Sequence, residues 1–115
     1  VSGAAPTATG GTIVDGRYVL TTRVDYYTTG SCQMAAPDMV DWVICGSQWE
    51  TASVGTGDDY NLDFNATVQA PNLTLEQTCS TAGSMEHWAY DATPTSLVFY
   101  VPQGNGTLVD TFAKQ

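Results

Sequence analysis

Residues 60 to 69 read Tyr60-Asn61-Leu62-Asp63-Phe64-Asn65-Ala66-Thr67-Val68-Gln69, and they alternate without a break. Tyr60, Leu62, Phe64, Ala66 and Val68 fall on one face, with Asn61, Asp63, Asn65, Thr67 and Gln69 on the other. A helix would scatter these side chains around its surface, so the period of two defines a strand with one dry and one wet face.

Working outward, the same logic finds strands on both sides. Upstream, Thr12 to Tyr27 is a β segment interrupted by Asp15-Gly16. In its longer half Tyr18, Leu20, Thr22, Val24 and Tyr26 share a face opposite Val19, Thr21, Arg23, Asp25 and Tyr27. Two mixed faces predict a long, curved strand that meets the interior along part of its length. Val40 to Cys45 follows a loop and leads through a tight turn at Gly46-Ser47 into Gln48 to Val54.

Downstream, Ala70-Pro71-Asn72 turns the chain into Leu73 to Cys79, where Leu73, Leu75 and Gln77 oppose Thr74, Glu76 and Thr78. Met85 to Ala92 has Trp88 and Tyr90 on its inward face; Ser96 to Val101 and Thr107 to Lys114 complete eight strands. Nowhere does a helical period persist. Short strands joined by short turns pair in sequence order, so the expected fold is all-β: an eight-stranded antiparallel up-and-down barrel, with a two-sheet β-sandwich as the alternative.

The chain of 115 residues suits one domain, 12–115, preceded by a small, uncharged, turn-prone segment, 1–11, expected to be a flexible tether. That segment and a composition with only 13% charged residues predict an exported protein, secreted or at the cell surface, with the tether left after removal of a signal peptide. Twelve acids against 3 bases give a net charge of −9, which disfavours nucleic acid and anionic lipid as partners. No apolar run reaches the roughly 20 residues of a membrane helix.

Cys32, Cys45 and Cys79 are odd in number, so one internal bridge at most can form. In an up-and-down barrel Cys32 and Cys79 fall at the same end and Cys45 at the other, which predicts a Cys32–Cys79 disulfide. Cys45 is then free, either as a small buried apolar residue or as a link to a lipid or a partner.

Chemistry is sparse in this sequence. His87 is the single histidine and lies opposite the Trp88/Tyr90 face, so neither a His-based metal site nor a Ser-His-Asp arrangement is supported. Asp59-x-Asn61-x-Asp63 beside Asp58 matches the opening of a calcium loop, but Phe64 stands where glycine is needed, and no metal or cofactor is expected. The aromatics form the stronger pattern. Trp42, Trp88, Tyr90, Phe99 and Phe64 fall on inward faces, and a barrel of this size either fills itself with such rings or holds one small ligand between them.

The opening stretch, Gly11-Thr12-Ile13-Val14-Asp15-Gly16-Arg17-Tyr18-Val19-Leu20, resembles the first strand of lipocalin-type (calycin-like) domains of exported bacterial proteins and lipoproteins. Ser96-Leu97-Val98-Phe99-Tyr100 and 107–115 resemble their last two strands. The resemblance implies a non-enzymatic barrel that binds a small apolar or amphipathic ligand in a cup, with Lys114 closing the barrel over the aromatic Tyr18. A structural subunit of a surface assembly or filament, self-associating by strand addition through residues 1–11, is the second expectation.

Overall fold

The computed structural model describes residues 3–27, 39–54, 60–78, 84–104 and 106–115. Eight strands follow one another: β1 (Gly16–Tyr27), β2 (Met39–Cys45), β3 (Gln48–Val54), β4 (Tyr60–Gln69), β5 (Asn72–Gln77), β6 (Met85–Ala92), β7 (Ser96–Gln103) and β8 (Gly106–Lys114). Each pairs antiparallel with its neighbours, and β8 returns to β1, so the sheet closes as a barrel in sequence order. Closure removes the free edges that a sandwich would keep.

The interior is built from the inward faces of all eight strands. Phe99 sits at its centre, with ring centroids 5.4 Å from Trp42, 6.0 Å from Trp49, 5.2 Å from Trp88 and 5.4 Å from Phe112. Leu73, Leu75, Leu97 and Ile44 are buried in the same cluster. On β4, Phe64 is buried and Leu62 and Ala66 pack against the core as the alternation requires. Val68 is the exception: at the end of the strand it is 44% exposed.

One irregularity redirects β1. Tyr18 and Leu20 pair with Lys114 and Phe112, but the register then shifts, and Thr22 pairs with Thr111. Thr21 is therefore an extra residue, a β-bulge, and its hydroxyl donates to the Thr111 carbonyl at 3.0 Å. A single inserted residue exchanges the two faces of everything beyond it. Arg23 and Asp25 lie opposite Asp110 and Leu108 on the inner face; Thr22, Val24 and Tyr26, which share a sequence face with Tyr18 and Leu20, lie opposite Thr111, Val109 and Thr107 on the outer face.

The segment before β1 closes one end of the barrel. Gly10 pairs with the end of β6, its N–H donating to the Tyr90 carbonyl and its carbonyl accepting from Ala92, both at 2.8 Å. From inside, the Tyr90 hydroxyl donates to the Gly11 carbonyl at 2.7 Å, and Tyr18 donates to Val14. Glycine is required at both crossing points: a Cβ on Gly10 (φ +79) would meet the Ala70 Cβ at 2.9 Å, and one on Gly11 (φ +117) the Ala92 carbonyl oxygen at 2.5 Å. The segment read as a link between copies is thus bonded to its own barrel, and the reading of a structural subunit loses its support.

The cysteine expectations are corrected as well. Among the described residues the structure contains no disulfide. Cys32 and Cys79 lie outside the described residues. Cys45 is a free, exposed thiol rather than a buried apolar residue, because it ends β2 on the outward face beside the turn at Gly46.

The packing makes a direct prediction. Phe99→Ala removes the ring shared by four others and should cost about 3–5 kcal/mol in urea denaturation, whereas Val43→Ala, on the exposed outer wall, should stay within about 0.5 kcal/mol.

Candidate functional site

The bulge brings a charged pair into the barrel. Arg23 Nε and a terminal guanidinium nitrogen donate to the two carboxylate oxygens of Asp110 at 2.6 and 2.7 Å, a bidentate fork. Their side chains are 14% and 8% exposed. Asp110 lies between Phe99 on β7 and Arg23 on β1, so the pair continues the row that begins with Tyr90 and Phe99. An ion pair in such a setting loses hydration that its mutual attraction only partly restores.

Other polar groups share this interior. Thr51 and Ser53 are buried on β3, and the Thr51 hydroxyl donates to the Asp41 carbonyl at 2.9 Å. Trp88 Nε1 is buried and, among the described residues, has no acceptor. An unmet buried donor costs about 1–3 kcal/mol.

Of the aromatic residues predicted as ligand contacts, four come together. Trp42 meets Phe64 at 5.6 Å, Trp88 at 6.0 Å and Phe99 at 5.4 Å, with edges on faces or tilted rings. Trp88 retains partial exposure, while Trp42, Phe64 and Phe99 are buried. Tyr90 stands apart from this contact group: its hydroxyl is committed to the closed end through Gly11. Burial raises its pKa, as it does that of Tyr18. Sequence reading missed Arg23 and Asp110, because Arg23 reaches the interior only through the bulge.

The residues weighed for metal or catalysis do not converge. His87 is exposed on the outer wall with Nδ1 3.3 Å from the Thr74 hydroxyl. Asp63 faces outward opposite Glu50, and Asp58 and Asp59 lie outside the described residues. No group of three metal-ligating side chains occurs among the described residues.

Outside the barrel, Asp91 fastens the N-terminal segment. Its carboxylate accepts from the Thr9 N–H, from the Thr9 hydroxyl at 2.8 Å and from the Tyr100 hydroxyl. Burial pushes the Asp91 pKa up, but these bonds together outweigh it and leave it below the ordinary carboxylate value. Tyr100 is pushed up to about 12, by burial first and then by the bond to Asp91 and its charge.

Fold and site together define a closed eight-stranded antiparallel barrel, consistent with a generic calycin-like fold, its interior aromatic with one charged pair among the described residues. No family model, no curated protein and no solved structure matches the chain. Among the described residues no helix is long and apolar enough to cross a membrane.

Two expected outcomes follow from these contacts. Asp110→Ala removes the bidentate carboxylate from the buried Arg23 guanidinium and should cost about 3–5 kcal/mol, while the apolar replacement Arg23→Met with Asp110→Leu should be neutral or stabilising in the same urea titration. For the N-terminal clasp, Asp91 has a depressed folded pKa, so its contribution is present above the ordinary value of 3.8 and is lost as pH falls through the folded one. Tyr100 has a raised folded pKa, so its contribution is present below its ordinary 10.0 and is lost as pH rises through about 12. Hydrogen-exchange protection of the Thr9 and Gly10 amides, corrected for intrinsic rate, should therefore hold between these limits and fall on either side.

Proposed function

We propose that this protein is a non-enzymatic binding domain that takes a small amphipathic ligand at the interior site formed by Arg23, Asp110 and Trp88 against the rings of Trp42, Phe64 and Phe99. The observation that carries the reading is the Arg23–Asp110 pair, seated beside Phe99 in a core that apolar side chains would stabilise more simply. A buried charge pair of this kind serves specificity better than stability. The unmet Trp88 Nε1 supports the same reading by offering a hydrogen bond to a ligand oxygen.

The electrostatics narrow the head group. Arg23 is balanced by Asp110, and the chain carries a net charge of −9, so a carboxylate would approach this pair against the field. A neutral acceptor such as a hydroxyl or amide fits. Arg23 and Asp110 neutralise each other, which suits holding a head group rather than transferring protons. The low charge content, 13%, accords with an extracytoplasmic setting.

A head-group series on one tail tests the reading: 1-decanol, decanoate and decylammonium, followed by calorimetry and by tryptophan emission. Decanol should bind and shift the emission, with decanoate at least about tenfold weaker, a difference of roughly 1.4 kcal/mol. Trp88→Phe and the Arg23→Met, Asp110→Leu pair should each weaken decanol. Equal binding of all three, or none of any, would contradict the assignment.

A further inference from the structure

We propose a second binding site on the outside of the barrel, beneath the N-terminal segment, that takes an uncharged planar ring compound. It is separate from the interior site and rests on different residues. A recess of about 350 Å³ lies between the segment and the outer wall, within the size range of small-ligand pockets. Its floor is Tyr26 on β1, Thr107 and Gly106 on β8, and Tyr100 and Ala89 on neighbouring strands. Ala4, Ala5, Pro6 and Ala8 form its roof.

The register gives the recess its shape. Tyr26 pairs with Thr107 and Tyr100 with Val109, so the two tyrosines stand diagonally across β8, two residues apart along it. Of β8, only the small Gly106 and Thr107 line this slot, and its rings are those of Tyr26 and Tyr100. Aromatic walls favour a flat, apolar ligand.

Charge selects the class. None of the described lining residues is Lys, Arg, His, Asp or Glu. Asp91, bonded to the lining Tyr100, also accepts from Thr9, so it is turned to the clasp rather than to a ligand. An ionic compound would lose hydration here and find no partner. The clasp also fixes the roof, with Thr9 held by Asp91 and Gly10 by β6, so the recess exists before a ligand arrives.

The test is a titration of the whole chain with 7-methoxycoumarin, a neutral two-ring compound, followed by amide and indole shifts in ¹H–¹⁵N spectra. The expected result is saturable shifts at Ala89, Tyr100, Thr107 and Ala4 to Ala8, with the indole N–H signals of Trp42 and Trp88 unmoved. Ala89→Phe, which fills the slot, and Tyr26→Ala, which removes one wall, should each weaken binding by at least about tenfold. Coumarin-3-carboxylate should bind more weakly by a similar factor. The proposal is overturned by shifts confined to the indoles, which place the compound inside the barrel; by no saturable shift; or by equal binding of the carboxylate. It is overturned too if protein concentration alone moves the same amides and coumarin does not compete, since a second copy then occupies the recess. Failure of decanol in the interior leaves this outcome unaffected, so the two sites are judged apart.

Discussion

A single extra residue in β1 determines what the rest of the barrel can do. With Thr21 bulged out and its hydroxyl bonded to Thr111, the strand keeps its pairing with β8 but exchanges its faces. Before the bulge, Tyr18 and Leu20 contribute to an apolar interior; after it, Arg23 and Asp25 turn inward while Val24 and Tyr26 turn outward. The buried ion pair and the outer apolar strip are two consequences of one register shift. Without it the interior would hold Val24 and Tyr26, and Arg23 would be a surface residue.

The outer strip explains why the N-terminal segment is held. Val24, Tyr26, Tyr100 and Val109 on the outer wall are all half-buried, unlike the polar outer positions Glu50, Asn61 and Glu76 elsewhere. Apolar surface gains by being covered, and a segment of Ala, Pro and Thr covers it at little entropic cost in side chains. Asp91 then fixes the segment's register. Gly10 and Gly11 let it cross the end of the barrel where any side chain would collide with β6 or the turn at Ala70.

The strands were legible in the sequence because each hairpin has its own punctuation. Gly46-Ser47, Ala70-Pro71 and Thr93-Pro94-Thr95 separate runs whose alternation of two survives intact, so β3, β4 and β6 fall at the expected residues. Inward placement of Trp42, Trp88, Tyr90 and Phe99 followed from the same alternation. The bulge was not legible. Thr21-Thr22 carries no glycine and no break in polarity, and the two mixed faces beyond it fit a curved strand as well as a face exchange. Arg23 therefore escaped notice as an interior residue, and with it the feature that best distinguishes this interior from a solid apolar core. For Cys45 the sequence left burial and exposure open: residue type favours burial of a free cysteine, while position on the outward face at a strand end decides for exposure.

The central claim is that Arg23 points into the barrel. Nuclear Overhauser contacts from the Arg23 Nε–H, in protein labelled with ¹⁵N, test it most directly. The account predicts a resolved, slowly exchanging Nε–H with contacts to the Phe99 ring and the Leu108 methyls, while Val24 and Tyr26 show contacts to the N-terminal segment. A rapidly exchanging Arg23 signal, with Val24 methyls in contact with Phe99 or Phe112, would show that the faces are not exchanged and would contradict the account.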